Sequence, residues 1–331
     1  MLESKMNQLL NFYSDFSSFL NTRMVGCEEI IKRLFISLMI GGNILLEGPP
    51  GVGKTSMVKA FAELLALEYS RIQFTPDLMP LDIIGSNILQ QSEGGDRSFE
   101  FYKGPIFSNI VLGDEINRAT PKTQSAFLEA MEEKRITFLG KEYLLPSPFM
   151  VIATQNPIEL EGTYPLPEAQ IDRFLMKLYF HYPDFLQLKQ IINTNEFPDR
   201  IVHPDEKKSA EVWKDVRDLE NEVIVLDDIK NYITRLVVST HPLHSNIPSV
   251  KQFVLYGASP RAGIYLLRAA KWKALLEKRI NVSFEDIEEL AYDVLNHRII
   301  LNFDAEAENV EIGKLIQTVV QDLEKRYQPR T

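Results

Sequence analysis

Apolar residues in the first half of the chain fall into short continuous runs that are bounded by glycine or charged residues. Runs of this kind span residues 43–47, 110–114, 149–154 and 174–180. They are typical of strands that are buried on both faces, as in a parallel sheet. Because the first three runs end in polar residues, the pattern predicts a doubly wound α/β sheet whose ligands bind at the carboxyl ends of the strands.

From about residue 184 onward, the spacing of apolar residues becomes helical. Segments 226–238 and 260–278 have this period, and Ser283 to Asp286 matches a capping box that opens a further helix. Near the middle of this region, Ser259 is predicted to cap a helix that has Pro260 at its first position.

These two patterns divide the chain into two predicted domains. We expect an α/β core over residues 1–183 and a smaller helical domain over residues 184–331. Within the core, residues 1–24 are predicted to form an amphipathic helix. That helix is expected to pack on the protein rather than on a membrane, since basic residues are few on it.

Two segments of the core have strand-like residues on either side of a glycine turn, and each is predicted to be a β-hairpin. Their turns are Gly94-Gly95 and Gly140-Lys141. The predicted strands are 83–89 with 98–102, and 135–139 with 143–145.

The segment GPPGVGKT at residues 48–55 fits the pattern G-x-x-x-x-G-K-[ST] in full. A predicted strand precedes it and helical spacing follows it, so backbone N–H groups and a helix N-terminus would cradle a phosphate chain. Lys54 would reach the β- and γ-phosphates of ATP, and the Thr55 hydroxyl would ligate Mg²⁺. The predicted nucleotide-binding residues of this loop are Gly48, Pro49, Pro50, Gly51, Val52, Gly53, Lys54, Thr55 and Ser56.

Two carboxylates follow the second apolar run. Asp114 at the end of that run is predicted to hold Mg²⁺ through water, and Glu115 is predicted to act as general base on the attacking water. Downstream of a complete phosphate loop, this pair favours ATP hydrolysis over a strand that merely ends in solvent.

Local sequence alone leaves the roles of three further polar residues undecided. Asn156 either positions the lytic water or belongs to an ordinary Asn-Pro turn. Arg173 either pairs with Asp172 or reaches the γ-phosphate of a neighbouring subunit. Arg261 lies near a helix N-terminus, either to bind an anion or as a solvated residue of the first turn.

The composition limits the classes of function. The 331 residues include 36 basic and 46 acidic side chains, for a formal net charge of -10. Affinity for nucleic acid depends on many Lys and Arg contacts with phosphate, so this charge argues against a nucleic-acid partner. The chain has a single cysteine, and it contains no apolar run of about 18 residues and no secretory signal at its N-terminus. These features predict a cytoplasmic protein with no membrane insertion.

Taken together, these residues resemble the MoxR family of AAA+ ATPases. The motifs GPPGVGKT, IVLGDEINRA, TPKTQSAFLEAMEE, VIATQNPIE, YPLPEAQIDRF and GASPRAG occur in that family's order. The resemblance implies a five-stranded parallel sheet of order 5-1-4-3-2, two hairpin inserts and an all-helical lid, with the nucleotide between core and lid. It also implies a hexameric ring that uses ATP to remodel or activate client protein complexes, often beside a partner with a von Willebrand factor A domain.

The resemblance also implies roles for the residues that local sequence leaves open. Asn156 would be the sensor-1 residue, and Arg173 the arginine finger that completes a neighbour's site. Arg261 would be the sensor-2 arginine of the lid, which contacts the γ-phosphate and whose release lets the lid rotate. Val25 and Gly26 would lie at the adenine pocket.

Two other functions share these features. Minichromosome-maintenance helicases have the same two added hairpins, which makes a nucleic-acid motor an alternative, although Arg97, Lys103 and Lys141 are the few cations near the hairpin tips. A nucleotide-gated binding module would bind ATP and hardly hydrolyse it. Turnover equal to that of a Lys54→Ala variant would favour such a module.

Overall fold

The computed structural model describes residues 2–91, 97–156, 162–193 and 216–327, and a sheet of five parallel strands lies at its centre. The strands of this sheet are β1 (Ile44–Glu47), β2 (Tyr69–Gln73), β5 (Ile110–Asp114), β8 (Met150–Gln155) and β9 (Met176–Tyr179). Their order in the sheet is β2-β5-β8-β1-β9. Counted along the core, this order is the expected 5-1-4-3-2, so the predicted α/β fold is confirmed.

Helices cover both faces of the sheet, because side chains alternate between the faces along each strand. Ile44 and Leu46 of β1 belong to one hydrophobic cluster, whereas Leu45 belongs to the other. The first face is covered by α1 (Leu2–Arg23), α2 (Glu28–Ile40) and α3 (Lys54–Leu64), and the second by α4 (Pro80–Ile84) and α5 (Pro121–Glu133). The predicted N-terminal helix is therefore present and packs on the core.

Two β-hairpins project from this core. The first pairs β3 (Gly85–Gln91) with β4 (Arg97–Lys103), and the second pairs β6 (Arg135–Phe138) with β7 (Lys141–Leu144). The prediction that the first hairpin begins at residue 83 is wrong, since Ile83 is a fully buried residue of α4. Its predicted turn at Gly94-Gly95 lies outside the described residues.

The second hairpin turns at Leu139 and Gly140, which have positive φ angles of 49° and 77°. Two successive positive φ angles match the twist of a tight hairpin. The two hairpins also touch each other, because the Phe101 ring of β4 lies 5.0 Å from that of Phe138 and 4.3 Å from that of Tyr143, measured between centroids.

The remaining helices are short in the core and longer toward the C-terminus. They are α6 (Glu168–Ile171), α7 (Phe185–Asn193), α8 (Leu219–Glu222), α9 (Asp227–Ser239), α10 (Pro248–Phe253), α11 (Pro260–Leu276), α12 (Phe284–Leu295), α13 (Phe303–Ala307) and α14 (Ile312–Tyr327). Single 3₁₀ turns lie at Pro105–Phe107 and Ile116–Arg118.

The C-terminal region is helical as predicted, with one addition. Strands β10 (Val254–Tyr256) and β11 (Ile300–Leu301) form a small antiparallel pair, so the region is not entirely helical. The predicted capping box is present at the start of α12, where Ser283 and Asp286 bond each other's backbone N–H groups.

Helix α11 joins this region to the core. It contacts α2, α9 and α12, and α12 in turn contacts β9. Trp272 in α11 is fully buried in the same hydrophobic cluster as Ile31 and Leu34 of α2. Within the described residues, every helix is too short or too polar to cross a lipid bilayer.

Candidate nucleotide-binding site

The glycine-rich loop follows β1 and ends where α3 begins, at Lys54. Gly51 and Gly53 adopt positive φ angles of 79° and 87°, a conformation that glycine reaches at little cost. Gly48 is restricted for a different reason, because a Cβ atom there would lie 2.7 Å from the carbonyl oxygen of Phe180. The shape of the loop thus depends on all three glycines.

The Lys54 side chain folds back into the loop. Its Nζ donates to the carbonyl oxygens of Gly48 at 2.5 Å and Pro49 at 3.0 Å. Burial lowers the pKa of this ammonium group, although nearby carboxylates, chiefly that of Asp114, act in the opposite direction. Phosphate oxygens are stronger acceptors than peptide carbonyls for a cation, so a bound triphosphate would draw Lys54 away from the loop carbonyls.

A cavity of about 360 Å³ joins this loop to the carboxyl ends of β5 and β8. It brings together the phosphate loop, the acidic pair and Asn156, as the sequence predicts for a doubly wound sheet. The cavity is lined by Pro50, Gly51, Val52, Gly53, Lys54, Thr55, Ser56, Asp114, Glu115, Thr154, Gln155 and Asn156.

Asp114 is held by two neighbouring strands. Its Oδ1 accepts a hydrogen bond from the Thr154 hydroxyl at 2.7 Å, and its Oδ2 pairs with Arg71 Nη2 at 2.6 Å. The carboxylate is therefore fixed in orientation at the wall of the cavity. Thr55 and Asp114, the predicted metal ligands, supply a hydroxyl and a carboxylate to the same cavity, and these hard oxygen donors suit Mg²⁺.

Glu115 is held in an unusual backbone conformation. Its φ and ψ angles of 58° and 52° are left-handed, which is uncommon outside glycine and typical of functional sites. Its backbone N–H donates to the Thr154 hydroxyl at 2.9 Å. Its Oε2 contacts Gln73 Nε2 at 3.1 Å and Arg118 Nε at 3.0 Å.

Three residues that contact the acidic pair, namely Arg71, Gln73 and Thr154, were not predicted from the sequence. Arg71 and Gln73 lie on β2, whose residues are too polar to form the continuous apolar run that marks the other core strands. Alternation of polar and apolar residues over the four positions from Arg71 to Phe74 was the available signal for a half-exposed edge strand. Thr154 ends an apolar run, where a hydroxyl reads as an ordinary strand residue.

A second cavity of about 560 Å³ adjoins the first, since Gly51, Val52, Gly53 and Ser56 line both. Val25 and Gly26, the residues expected at the adenine base, also line it. Gly26 has a φ of 74°, and a Cβ atom there would lie 2.3 Å from the Gln187 side chain. This second cavity therefore has the size and the largely apolar walls that a nucleoside requires.

The structure does not bring Arg173 or Arg261 to the phosphate loop of the same chain. Both line a separate cavity of about 200 Å³, which shares no lining residue with the one at the loop. Glu132 of α5 bridges them, with Oε2 at 2.7 Å from Arg173 Nε and Oε1 at 2.8 Å from Arg261 Nη2. Their predicted roles at a nucleotide remain predictions, because the geometry of a single chain places neither arginine at its own phosphate loop.

The helix cap predicted at Ser259 is replaced by a different contact. Ser259 lies at the N-cap position of α11 but makes no side-chain cap bond. Its hydroxyl donates instead to Asp172 Oδ1 at 2.8 Å, and Arg261 Nη1 lies 3.3 Å from Asp172 Oδ2. The anion that faces this helix end is thus a carboxylate of the core.

Comparison with known proteins agrees with this fold. The family profile described as the ATPase family associated with various cellular activities (AAA) matches residues 43–176, and that of the AAA lid domain matches residues 249–322. The crystal structure of a proposed ATPase from Cytophaga hutchinsonii has a TM-score of 0.86 and 42% identity, and the match covers 96% of each chain.

Two curated relatives point to one branch of these ATPases. Protein MoxR of Methylorubrum extorquens is 30% identical over 299 residues, which cover 84% of each chain. Chaperone MoxR1 of Mycobacterium tuberculosis is 41% identical over 303 residues, which cover 89% of this chain and 78% of the relative. The chain therefore belongs to the MoxR family of AAA+ ATPases.

Proposed function

We propose that the protein hydrolyses ATP to ADP and phosphate at the cavity beside the glycine-rich loop. One observation carries the proposal: a single cavity of about 360 Å³ is lined by the phosphate loop, Lys54, Asp114, Glu115 and Asn156. A site that only bound nucleotide would not need a carboxylate fixed beside the expected γ-phosphate position. Glu115 meets that requirement and has the strained backbone often found at catalytic residues.

In this proposal, a water molecule attacks the γ-phosphorus and the bond to the β–γ bridging oxygen breaks. Glu115 accepts the proton of that water, and Asn156 orients the water or the γ-phosphate. Lys54 stabilises negative charge on the β- and γ-phosphates. Thr55 and Asp114 would hold Mg²⁺, which when bound neutralises charge on the phosphate oxygens.

The chain is further proposed to work as a ring, of six subunits as is usual in this family, in which each subunit completes the site of its neighbour. The separate cavity of Arg173 and Arg261 supports this idea, because their guanidinium groups would serve a nucleotide only across a subunit boundary. An arginine supplied in this way is worth about 10³–10⁵ in rate.

The object of this activity is proposed to be a protein complex, remodelled or activated with the energy of ATP, with a von Willebrand factor A domain protein as a partner. In support of a polypeptide client, the described parts of the two hairpins expose six large apolar side chains to solvent. These are Ile88, Leu89, Phe99, Tyr102, Leu139 and Leu144. The ATP that drives the work is abundant in the cytoplasm, where we expect the protein to act.

A Glu115→Gln variant tests hydrolysis separately from binding. Without the base, turnover should fall by about 10²- to 10⁴-fold, while equilibrium binding of ATP stays within a few fold of the parent. Glu306→Gln, at an exposed carboxylate in α13, is the matched control and should change neither quantity. Equal turnover by the parent and a Lys54→Ala variant would refute the proposal and favour a binding module.

A further inference from the structure

Arg298 follows α12 and is the most completely bonded arginine of the contact between the helical region and the core. Its side chain is 0% exposed. A guanidinium group has five N–H donors, and each of the five has an acceptor here. The acceptors are Asp172 Oδ1 at 2.9 Å and the carbonyl oxygens of Asp172 at 2.9 Å, Leu175 at 3.2 Å, Phe174 and Val294.

Four of these five acceptors belong to the segment that carries Arg173. The backbone carbonyls on both sides of Arg173, those of Asp172 and Phe174, are bonded by the same Nη2 atom of Arg298. The path of the chain through Arg173 is thus set by a side chain from the helical region. The Tyr265 ring closes the site on another side, with its centroid 5.2 Å from Arg298 Cζ.

Asp172 extends this control to the second arginine. Its Oδ1 accepts from Arg298 and from the Ser259 hydroxyl, while its Oδ2 lies 3.3 Å from Arg261 Nη1. Arg261 therefore reaches a carboxylate whose orientation Arg298 fixes. Since Glu132 also bridges Arg173 and Arg261, the three arginines and two carboxylates form one connected network.

We propose that Arg298 is a positioning residue that holds Arg173 and Arg261 in the geometry needed to reach the γ-phosphate of ATP on a neighbouring subunit. The inference rests on the proposed function. Arg298 itself touches no nucleotide, because it is enclosed by the carbonyl groups that it bonds. Its effect reaches the reaction through the backbone at Arg173 and through Asp172.

A purely structural role would make a buried charge a poor choice for this position. Removing an arginine from water is costly, and apolar residues of similar volume often stabilise a protein as well or better. What the guanidinium group supplies is fixed geometry, with five directional bonds, four of them to one short segment. Lysine has the same charge but only three donors on one nitrogen, so it cannot reproduce this set of contacts.

The first test compares Arg298→Lys with Asn296→Ala. Asn296 Nδ2 donates to the Lys177 carbonyl oxygen at 3.0 Å, so its removal weakens the same contact between helical region and core without touching Asp172. A shift of about 1 Å in a catalytic group costs up to about 10²-fold in rate. We expect Arg298→Lys to lower kcat by an amount approaching that value with little change in KM for ATP, and Asn296→Ala to leave kcat unchanged.

The second test mixes subunits. A subunit with altered Arg298 keeps its own phosphate loop and Glu115, so its site should regain activity when a neighbour supplies intact arginines. Glu115→Gln subunits are such neighbours, because they keep these arginines and contribute little hydrolysis of their own. Mixtures of Arg298→Lys with Glu115→Gln should therefore hydrolyse ATP several times faster than the sum of the separate proteins.

A second mixture, of Arg173→Ala with Glu115→Gln, separates a failure of this inference from a failure of the proposed function. If that mixture gains no activity, action across the subunit boundary is wrong and the proposed function needs revision. If it gains activity and the Arg298→Lys mixture does not, Arg298 affects only its own chain and the inference is overturned. Should Arg298→Lys fail to fold, Asp172→Asn carries the same expectations, because it breaks the same network from the other side.

Discussion

Arg71 Nη2 lies 2.6 Å from Asp114 Oδ2, across the pairing of β2 with β5. Asp114 is the predicted metal ligand, so a cation of the edge strand already contacts the carboxylate that would hold Mg²⁺. The Thr154 hydroxyl on the other oxygen fixes the same carboxylate without adding charge. Arg71 therefore both orients the ligand and competes electrostatically with the metal.

An Arg71→Ala variant is expected to need less Mg²⁺ for half-maximal ATP hydrolysis. Arg71 is 47% exposed in its side chain, and exposed ion pairs are worth about 0.2–1 kcal/mol. The expected gain in metal affinity is thus about fivefold at most. Titration of turnover with Mg²⁺ at saturating ATP measures it, and Arg71→Lys should stay close to the parent. Weaker metal binding in Arg71→Ala would mean that orientation outweighs competition.

Replacement of Gly48 by alanine is expected to damage the phosphate loop. The new Cβ would lie 2.7 Å from the Phe180 carbonyl oxygen and from its Cβ, so the loop must shift away from β9. Such overpacking costs about 1–3 kcal/mol, and ATP binding should weaken by tenfold or more. Calorimetric titration with ATP checks this.

Gly263→Ala in α11 is the control for that experiment. Its added Cβ would meet only ordinary contacts at 3.5 Å and 3.7 Å, and alanine favours a helix interior over glycine by about 1 kcal/mol. Gly263→Ala should therefore keep full ATP binding and be slightly more stable. If Gly48→Ala also bound ATP normally, the close approach of the loop to β9 would not matter for binding.

His297 lies at the contact between the helical region and the core, and it makes the stability of the protein depend on pH. Its Nε2 bonds the Phe174 carbonyl oxygen at 3.1 Å, and burial, aided by the charge of Arg298, lowers its pKa well below 6.5. The unfolded chain therefore takes up a proton near pH 6.5 that the folded chain refuses. Stability from this residue is complete above about pH 6.5 and falls below it by about 1.4 kcal/mol per pH unit.

A His297→Gln variant should lose this part of the pH dependence. Urea unfolding at pH 7.5 and pH 5.5 measures the free energy of unfolding at each pH, and the variant should show a smaller difference than the parent. His181→Gln, at an exposed position, should keep the difference of the parent. An identical pH dependence in all three proteins would contradict this, because His297 would then take up its proton as readily in the folded state as in the unfolded one.

The sequence predicted the fold, and the motifs that meet in the cavity beside the glycine-rich loop, because both depend on local patterns. Buried parallel strands need continuous apolar runs, and a phosphate loop needs glycines at fixed spacing, so β1, β5 and β8 were recognisable with the residues at their ends. Strand β2 was not, because an edge strand that is half exposed alternates polar and apolar residues over a short length. Because this strand was not predicted, Arg71 and Gln73, which contact Asp114 and Glu115, were not predicted as part of the site.

The network around Arg173 could not be predicted for a different reason. Glu132, Asp172, Arg261 and Arg298 are separated by up to 166 residues along the chain, and nothing local indicates which arginine pairs with which carboxylate. Ser259 shows the same limit: its local context predicts a helix cap, but the carboxylate of Asp172 from the core takes its hydroxyl instead. Contacts between the two regions decide these pairings.

The measurement that bears most directly on the account is ATP turnover per chain over a dilution series, with the molar mass determined by light scattering on the same samples. If each subunit's Arg173 completes its neighbour's site, turnover per chain should fall steeply as the assembly dissociates, while ATP binding persists. A monomer that hydrolyses ATP as fast per chain as the assembly would contradict the account.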